Sequence, residues 1–153
     1  MKRQLLNAFI VIGFIVAATA AAQAQGVRRM VVNVPFDFVV GKRTLPAGTY
    51  TFKQLTRDND KPLLLQSADR RTTQIVLTNP VEAAASAETV AQLDFRRYGD
   101  KYFLARVWSA GQNTGRELSK SPLELVTIRE LARGASGQET AQPQTVSVKG
   151  RLE

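Results

Sequence analysis

The sequence predicts a mainly β protein: a single small β-sandwich or barrel-like domain with a short C-terminal helix, preceded by a cleaved signal peptide. Three observations carry this prediction. Apolar and polar residues alternate along much of the chain, turn residues recur at short and near-regular spacing, and only one segment joins a helix cap to apolar residues at helical spacing.

The elements follow in order. Lys2 and Arg3 precede an apolar stretch from Leu5 to Ala18, then small residues in which Ala20-Ala21-Ala22 and Ala22-Gln23-Ala24 satisfy the small-x-small pattern. A positive start, an apolar centre and such a site make up a secretory signal, so residues 1–24 are expected to be removed. An uncleaved anchor is the competing reading, and Asn7, Gly13 and the alanine-rich end weaken it. The remaining chain, residues 25–153, suits one domain, and the loss of Lys2 and Arg3 takes the charge from +8 to +6. The expected location is the periplasm or the cell exterior, with no membrane span after cleavage. The chain has no cysteine, so the exported domain must be held by its core rather than by disulfides.

From Met30 the apolar residues Val32, Val34, Phe36, Phe38 and Val40 alternate, which predicts a strand with those five on one buried face. Pro35 cannot donate to a ladder, so this strand lies at an edge or breaks there. Gly41-Lys42-Arg43 and Leu45-Pro46-Ala47-Gly48 read as turns, and Thr49 to Leu55 as the next strand. Asp58-Asn59-Asp60 ends it; Leu63-Leu64-Leu65 is a short apolar run before the turn Ala68-Asp69-Arg70-Arg71. Thr72 to Thr78 is β-branched and closes at Asn79-Pro80, and residues 81–89 read as a loop with at most one helical turn.

Val90 to Arg97 and Tyr102 to Trp108 form the strongest local signal, a hairpin around Tyr98-Gly99-Asp100-Lys101. Two registers compete. A two-residue loop pairs Phe95 with Leu104 and Leu93 with Arg106. A three-residue loop pairs Phe95 with Ala105, Leu93 with Val107 and Asp94 with Arg106, giving one clean apolar face and a cross-strand ion pair, and is preferred. It puts Tyr98, Tyr102 and Trp108 together on the outer face. Residues 110–115 read as a loop. Ser121-Pro122-Leu123-Glu124 then reads as a capping box, with Leu125, Ile128, Leu131 and Ala132 as the packing stripe of a helix over about 122–133, stopped by Gly134. The expected domain is therefore residues 25–133. Residues 134–153 read as a flexible polar tail in which Thr145-Val146-Ser147-Val148 is the only strand-like run.

Val34-Pro35-Phe36-Asp37-Phe38, Leu45-Pro46-Ala47-Gly48-Thr49-Tyr50, and Tyr98-Gly99-Asp100 with Tyr102-Phe103-Leu104 and Trp108 resemble a family of small exported acidobacterial β-rich proteins of unknown function. The resemblance spans about residues 30–133 and rests on turn and core residues. It implies export and a β-rich fold, and it implies no activity.

The chemical inventory is short. No histidine is present, so Ser-His-Asp and Cys-His nucleophilic arrangements are impossible, and the ordinary zinc, copper and haem ligands are missing. There is no Ser-x-x-Lys, no Gly-x-Ser-x-Gly and no phosphate loop. Carboxylates remain: Asp58 and Asp60 read as a solvated turn rather than a calcium loop, and Asp37 with Asp94 is the pair a glycan hydrolase would draw on, though nothing in the sequence joins them. No cofactor is expected.

Two surfaces are candidates for binding. The hairpin's outer face offers Tyr102, Arg106 and Trp108, and the turns offer Lys42, Arg43, Arg70 and Arg71 to a polyanion such as lipopolysaccharide or exopolysaccharide. No nucleic-acid signature accompanies the basic residues, and export argues against that partner. The function expected is a non-catalytic exported binding or structural module of the cell envelope, its partner an envelope protein or an acidic polysaccharide. A carboxylate-based hydrolase and a polyanion binder are the alternatives.

Overall fold

A computed structural model describes residues 29–55, 62–83, 90–134 and 142–152. The expected signal peptide, the Asp58-Asn59-Asp60 turn and residues 84–89 lie outside the described residues. Among the described residues the fold is mainly β, two sheets packed face to face with one helix, as the sequence predicts.

The first sheet runs in the order β12 (Arg151–Leu152), β1 (Arg29–Val34), β4 (Gly48–Gln54), β5 (Pro62–Ser67), β6 (Thr73–Leu77). The second runs β11 (Gln144–Lys149), β8 (Gln92–Tyr98), β9 (Lys101–Trp108), β10 (Thr114–Glu117), β7 (Asn79–Glu82). The short hairpin of β2 (Phe38–Val40) and β3 (Arg43–Leu45) joins this second sheet through a parallel pairing of Val39 with Phe103.

Pro35 acts as its chemistry demands. The first strand ends at Val34, and the chain crosses to the second sheet before β2 begins at Phe38. The alternation survives the crossing because both halves face the same core: Val32, Val34, Phe38 and Val40 are buried, and Phe36 at the bend is half-buried. A second crossing takes one residue, Thr78, which is buried between β6 in one sheet and β7 in the other. Pro80 is tolerated in β7 because that strand is an edge.

Between the sheets, Met30, Val32, Tyr50, Phe52, Leu63 and Leu65 meet Phe38, Leu45, Leu93, Phe95, Leu104 and Val107. The aromatic rings of Phe38, Tyr50 and Phe95 pack edge to face, with centroids 5.1 Å and 5.4 Å apart. Each such side chain contributes roughly 1.5–3 kcal/mol on burial, the main force holding a domain without disulfides.

The structure corrects several expectations. The chain after residue 134 is not simply a tail: β11 pairs with β8 along its whole length and β12 pairs with β1. Val146 and Val148 explain this, since they pack against the core while the strand satisfies the open edge of β8. Thr114 and Gly115, expected in a loop, begin β10.

The helix α1 (Pro122–Gly134) has its expected bounds but not its expected face. Leu125 and Leu131 are exposed and Ile128 is half-buried, while Glu124 and Thr127 turn inward. The capping box is half made. The Ser121 hydroxyl accepts the Glu124 N–H at 3.1 Å, but the Glu124 carboxylate reaches instead for Arg96 of β8. That side chain is 1% exposed and accepts two bonds from the Arg96 guanidinium, at 2.6 and 3.1 Å, and one from the Tyr98 hydroxyl at 3.2 Å. A polar clasp, not an apolar stripe, docks α1 on the outer face of the second sheet.

Candidate functional site: a cleft on the outer face of the second sheet

The outer face of the second sheet has two halves. Alternation along β8 sends Leu93 and Phe95 to the core and Gln92, Asp94, Arg96 and Tyr98 outward. The clasp under α1 covers Arg96, Tyr98 and the adjacent Phe103. Gln92 and Asp94 lie in the other half, where a cleft of about 490 Å³ is lined by both of them with Arg106, Trp108, Gln112 and Glu82 among others.

The hairpin register decides which aromatics reach this cleft. Gly99 and Asp100 form a two-residue loop, with Tyr98 opposite Lys101 and Phe95 opposite Leu104. A bulge then intervenes, and beyond it Asp94 faces Arg106 and Leu93 faces Val107. Each of the two competing registers thus holds for half of the hairpin, and Ala105 is the extra residue. The bulge separates residues expected to act together. Tyr102 precedes it and faces inward, stacked on Phe36 with centroids 3.9 Å apart and the Arg97 guanidinium above it. Arg106 and Trp108 follow it and face outward into the cleft. Tyr98 is buried, and that burial, with the neighbouring Glu124 carboxylate, pushes its phenol up to about 12.

Trp108 is fixed on two sides. Its Nε1–H donates to Asp94 Oδ2 at 2.7 Å, across to β8. Its six-membered ring lies over Gly115 of β10, where an added Cβ would stand 2.4 Å from Cε3 and 2.5 Å from Cζ3. Asp94 is itself secured, since its Oδ1 accepts from Gln92 Nε2 and from Ser147 Oγ, each at 2.7 Å. Arg106 does not make the expected pair with Asp94. Its Nε donates to Glu117 Oε1 at 3.1 Å on the neighbouring strand.

Asp37 and Asp94, the pair considered for hydrolysis, are not brought together around this cleft. Asp37 accepts the Ala47 N–H at 2.8 Å and pins the turn before β4, and it does not line the cleft. Among the described residues Asp94 and Glu82 are the carboxylates that line the cleft, and Asp94 accepts from three donors. Among the described residues no group of three or more His, Cys, Asp or Glu is placed to hold a metal, and no helix is long and apolar enough to cross a membrane.

The basic turns lie elsewhere. Lys42 on the β2–β3 turn and Arg43 at the start of β3 are both exposed, and Gln74 of β6 holds this turn by donating to the Val40 carbonyl at 2.8 Å. Arg70 and Arg71, also exposed, sit on the turn that leads into β6. There the Ser67 hydroxyl and the Arg71 N–H hold the Asp69 carboxyl below the usual range.

Sequence reasoning missed Gln92, Gln112, Glu82, Gly115 and Ser147 as parts of one place. A glycine in a strand signals close approach of another group, but by its local sequence Gly115 belongs to a loop. No family model matches the chain, and neither the curated proteins nor the solved structures contain a match.

Proposed function

We propose that the chain is a non-catalytic, exported binding module of the cell envelope, acting through the cleft between β7, β8 and β9. The support for export is the N-terminal segment with its charged start, apolar centre and small-residue site. The observation that carries the binding reading is the pinned indole. Asp94, Gln92, Ser147 and Gly115 together hold one aromatic ring in a concave surface, an arrangement that core packing does not require. The three donors that tie Asp94 to the indole, to Gln92 and to Ser147 favour a positioning role for it over acid–base chemistry.

Crosslinking the tagged chain in its host envelope, followed by mass spectrometry, tests this. The expected result is a captured envelope component that a Trp108→Ala chain fails to retain. Equal capture by both chains, or turnover of a glycan by the purified protein, defeats the reading.

A second reading rests on the neighbouring basic turns, which Gln74 ties to one strand. Lys42, Arg43, Arg70 and Arg71 would then meet an acidic polysaccharide such as lipopolysaccharide core or exopolysaccharide. Retention on heparin that falls with salt, and falls again when all four become alanine, supports it. Unchanged retention in that variant removes it.

A further inference from the structure

Resting on the binding reading above, we infer that the cleft takes a neutral sugar, with the Trp108 indole as the platform on which a pyranose ring stacks. The geometry of the ring is the first argument. Asp94 and Gly115 belong to β8 and β10, the strands on either side of β9, and Trp108 touches both. A ring that bridges both neighbours lies along the sheet. One π-face rests on the backbone at Gly115 and the other is turned to the cleft. A pyranose has an apolar face of C–H bonds that matches such a surface, and ordering the indole costs nothing further when it is already held.

The polar lining is the second argument. Gln92, Gln112 and Ser109 are neutral, and each can donate and accept at short range. Gln92 spends its amide N–H on Asp94 and keeps its carbonyl. This set matches hydroxyls on a sugar rim, which also both donate and accept.

Charge is the third argument, and it decides between sugar classes. Among the described lining residues Arg106 is the one cation and donates through Nε to Glu117, while Glu82 and Asp94 add negative charge. A carboxylated or sulfated sugar would therefore meet more negative than positive charge among the described lining residues. A cationic ligand would find Glu82 but only a single aromatic face, with Asp94 already accepting from three donors. A cleft of about 490 Å³ lies within the range of small-ligand sites, about 300–1,000 Å³.

Trp108 is the only tryptophan of the chain, so its fluorescence reports directly on the cleft. The experiment titrates the full exported chain with neutral hexasaccharides of glucose, mannose, galactose and N-acetylglucosamine, and with polygalacturonate and heparin as acidic counterparts. A saturable blue shift with at least one neutral probe is expected. By calorimetry, Trp108→Ala should weaken that binding at least tenfold, or about 1.4 kcal/mol. Gln112→Ala, at the rim, should weaken it severalfold without moving the unfolding midpoint, which separates lost contact from lost fold.

No response to any neutral probe, with an envelope protein still captured through Trp108, overturns the sugar assignment and leaves the binding reading standing. Response to the acidic probes alone also overturns it. Silence in both experiments removes both.

Discussion

Gly115 and Trp108 show how much rests on one missing side chain. Any Cβ at Gly115 would overlap the indole, so Gly115→Ala must lift the ring or shift β10. Crowding of this kind costs about 1–3 kcal/mol. The expected outcome is a red-shifted emission from Trp108 and a lower urea midpoint. An unchanged spectrum would show that the ring does not depend on that contact. Asp94 is the opposite case, a residue valued for how many donors it can satisfy. In Asp94→Asn one oxygen becomes an N–H₂ donor, so the three bonds from Trp108, Gln92 and Ser147 cannot all persist. A loss of about 1–3 kcal/mol is expected in chemical denaturation, the cost of a buried group left unsatisfied.

The helix is an element whose placement is electrostatic. Glu124 is fully buried and the Arg96 side chain is 14% exposed, so cutting the pair from the two sides has unequal effects. Arg96→Met strands a buried carboxylate and should cost about 3–5 kcal/mol. Adding Glu124→Leu should restore most of it, because a well-packed apolar pair replaces the desolvated ions. Urea unfolding of the single and double variants checks both. The clasp also sets an alkaline limit. The Tyr98 phenol, desolvated and beside Glu124, is raised from 10.0 to about 12. Its contribution is therefore complete below pH 10, where the unfolded phenol is still protonated, and is lost as pH climbs towards 12. On the order of 2 kcal/mol goes over that window. Tyr98→Phe should flatten that part of the stability curve, and an identical curve in the variant would place the alkaline transition elsewhere.

At the scale of the molecule, the last strands close both sheets. β11 covers the edge of β8, the chain crosses between the sheets at Gly150, and β12 covers the edge of β1. Gly150 is pressed so closely on β1 that a Cβ would stand 2.5 Å from Val32 Cγ2 and 3.0 Å from the Val31 carbonyl. Removing residues 142–153 uncovers two strand edges together with Val146 and Val148, and deletes Ser147 from Asp94. A loss of about 3 kcal/mol or more, with association through the open edges, is expected by urea unfolding and size-exclusion chromatography. A shortened chain that stays monomeric and equally stable would contradict the closing role of these strands.

Local chemistry was enough for much of the fold. Alternation from Met30 to Val40, the break at Pro35, the Asp69–Arg71 turn and the start of α1 at Ser121 were legible, because each depends on neighbours in sequence. Arg106 and Trp108 were legible as a candidate surface for the same reason. Three matters depended on residues far apart in the chain. The bulge at Ala105 split Tyr102 from Trp108, since the loop favours one register and the core another. Arg96 took Glu124 from its cap and turned the helix over, because a buried charge must find its counterion. Val146 and Val148 made strands of an apparent tail, because β8 and the core offered them an edge and a surface. The sequence by itself determined where most of the strands and the helix form, through patterns of a few residues. Only the tertiary structure decided which faces they bury and which side chains share the cleft, since those are settled by contacts between strands far apart in the chain.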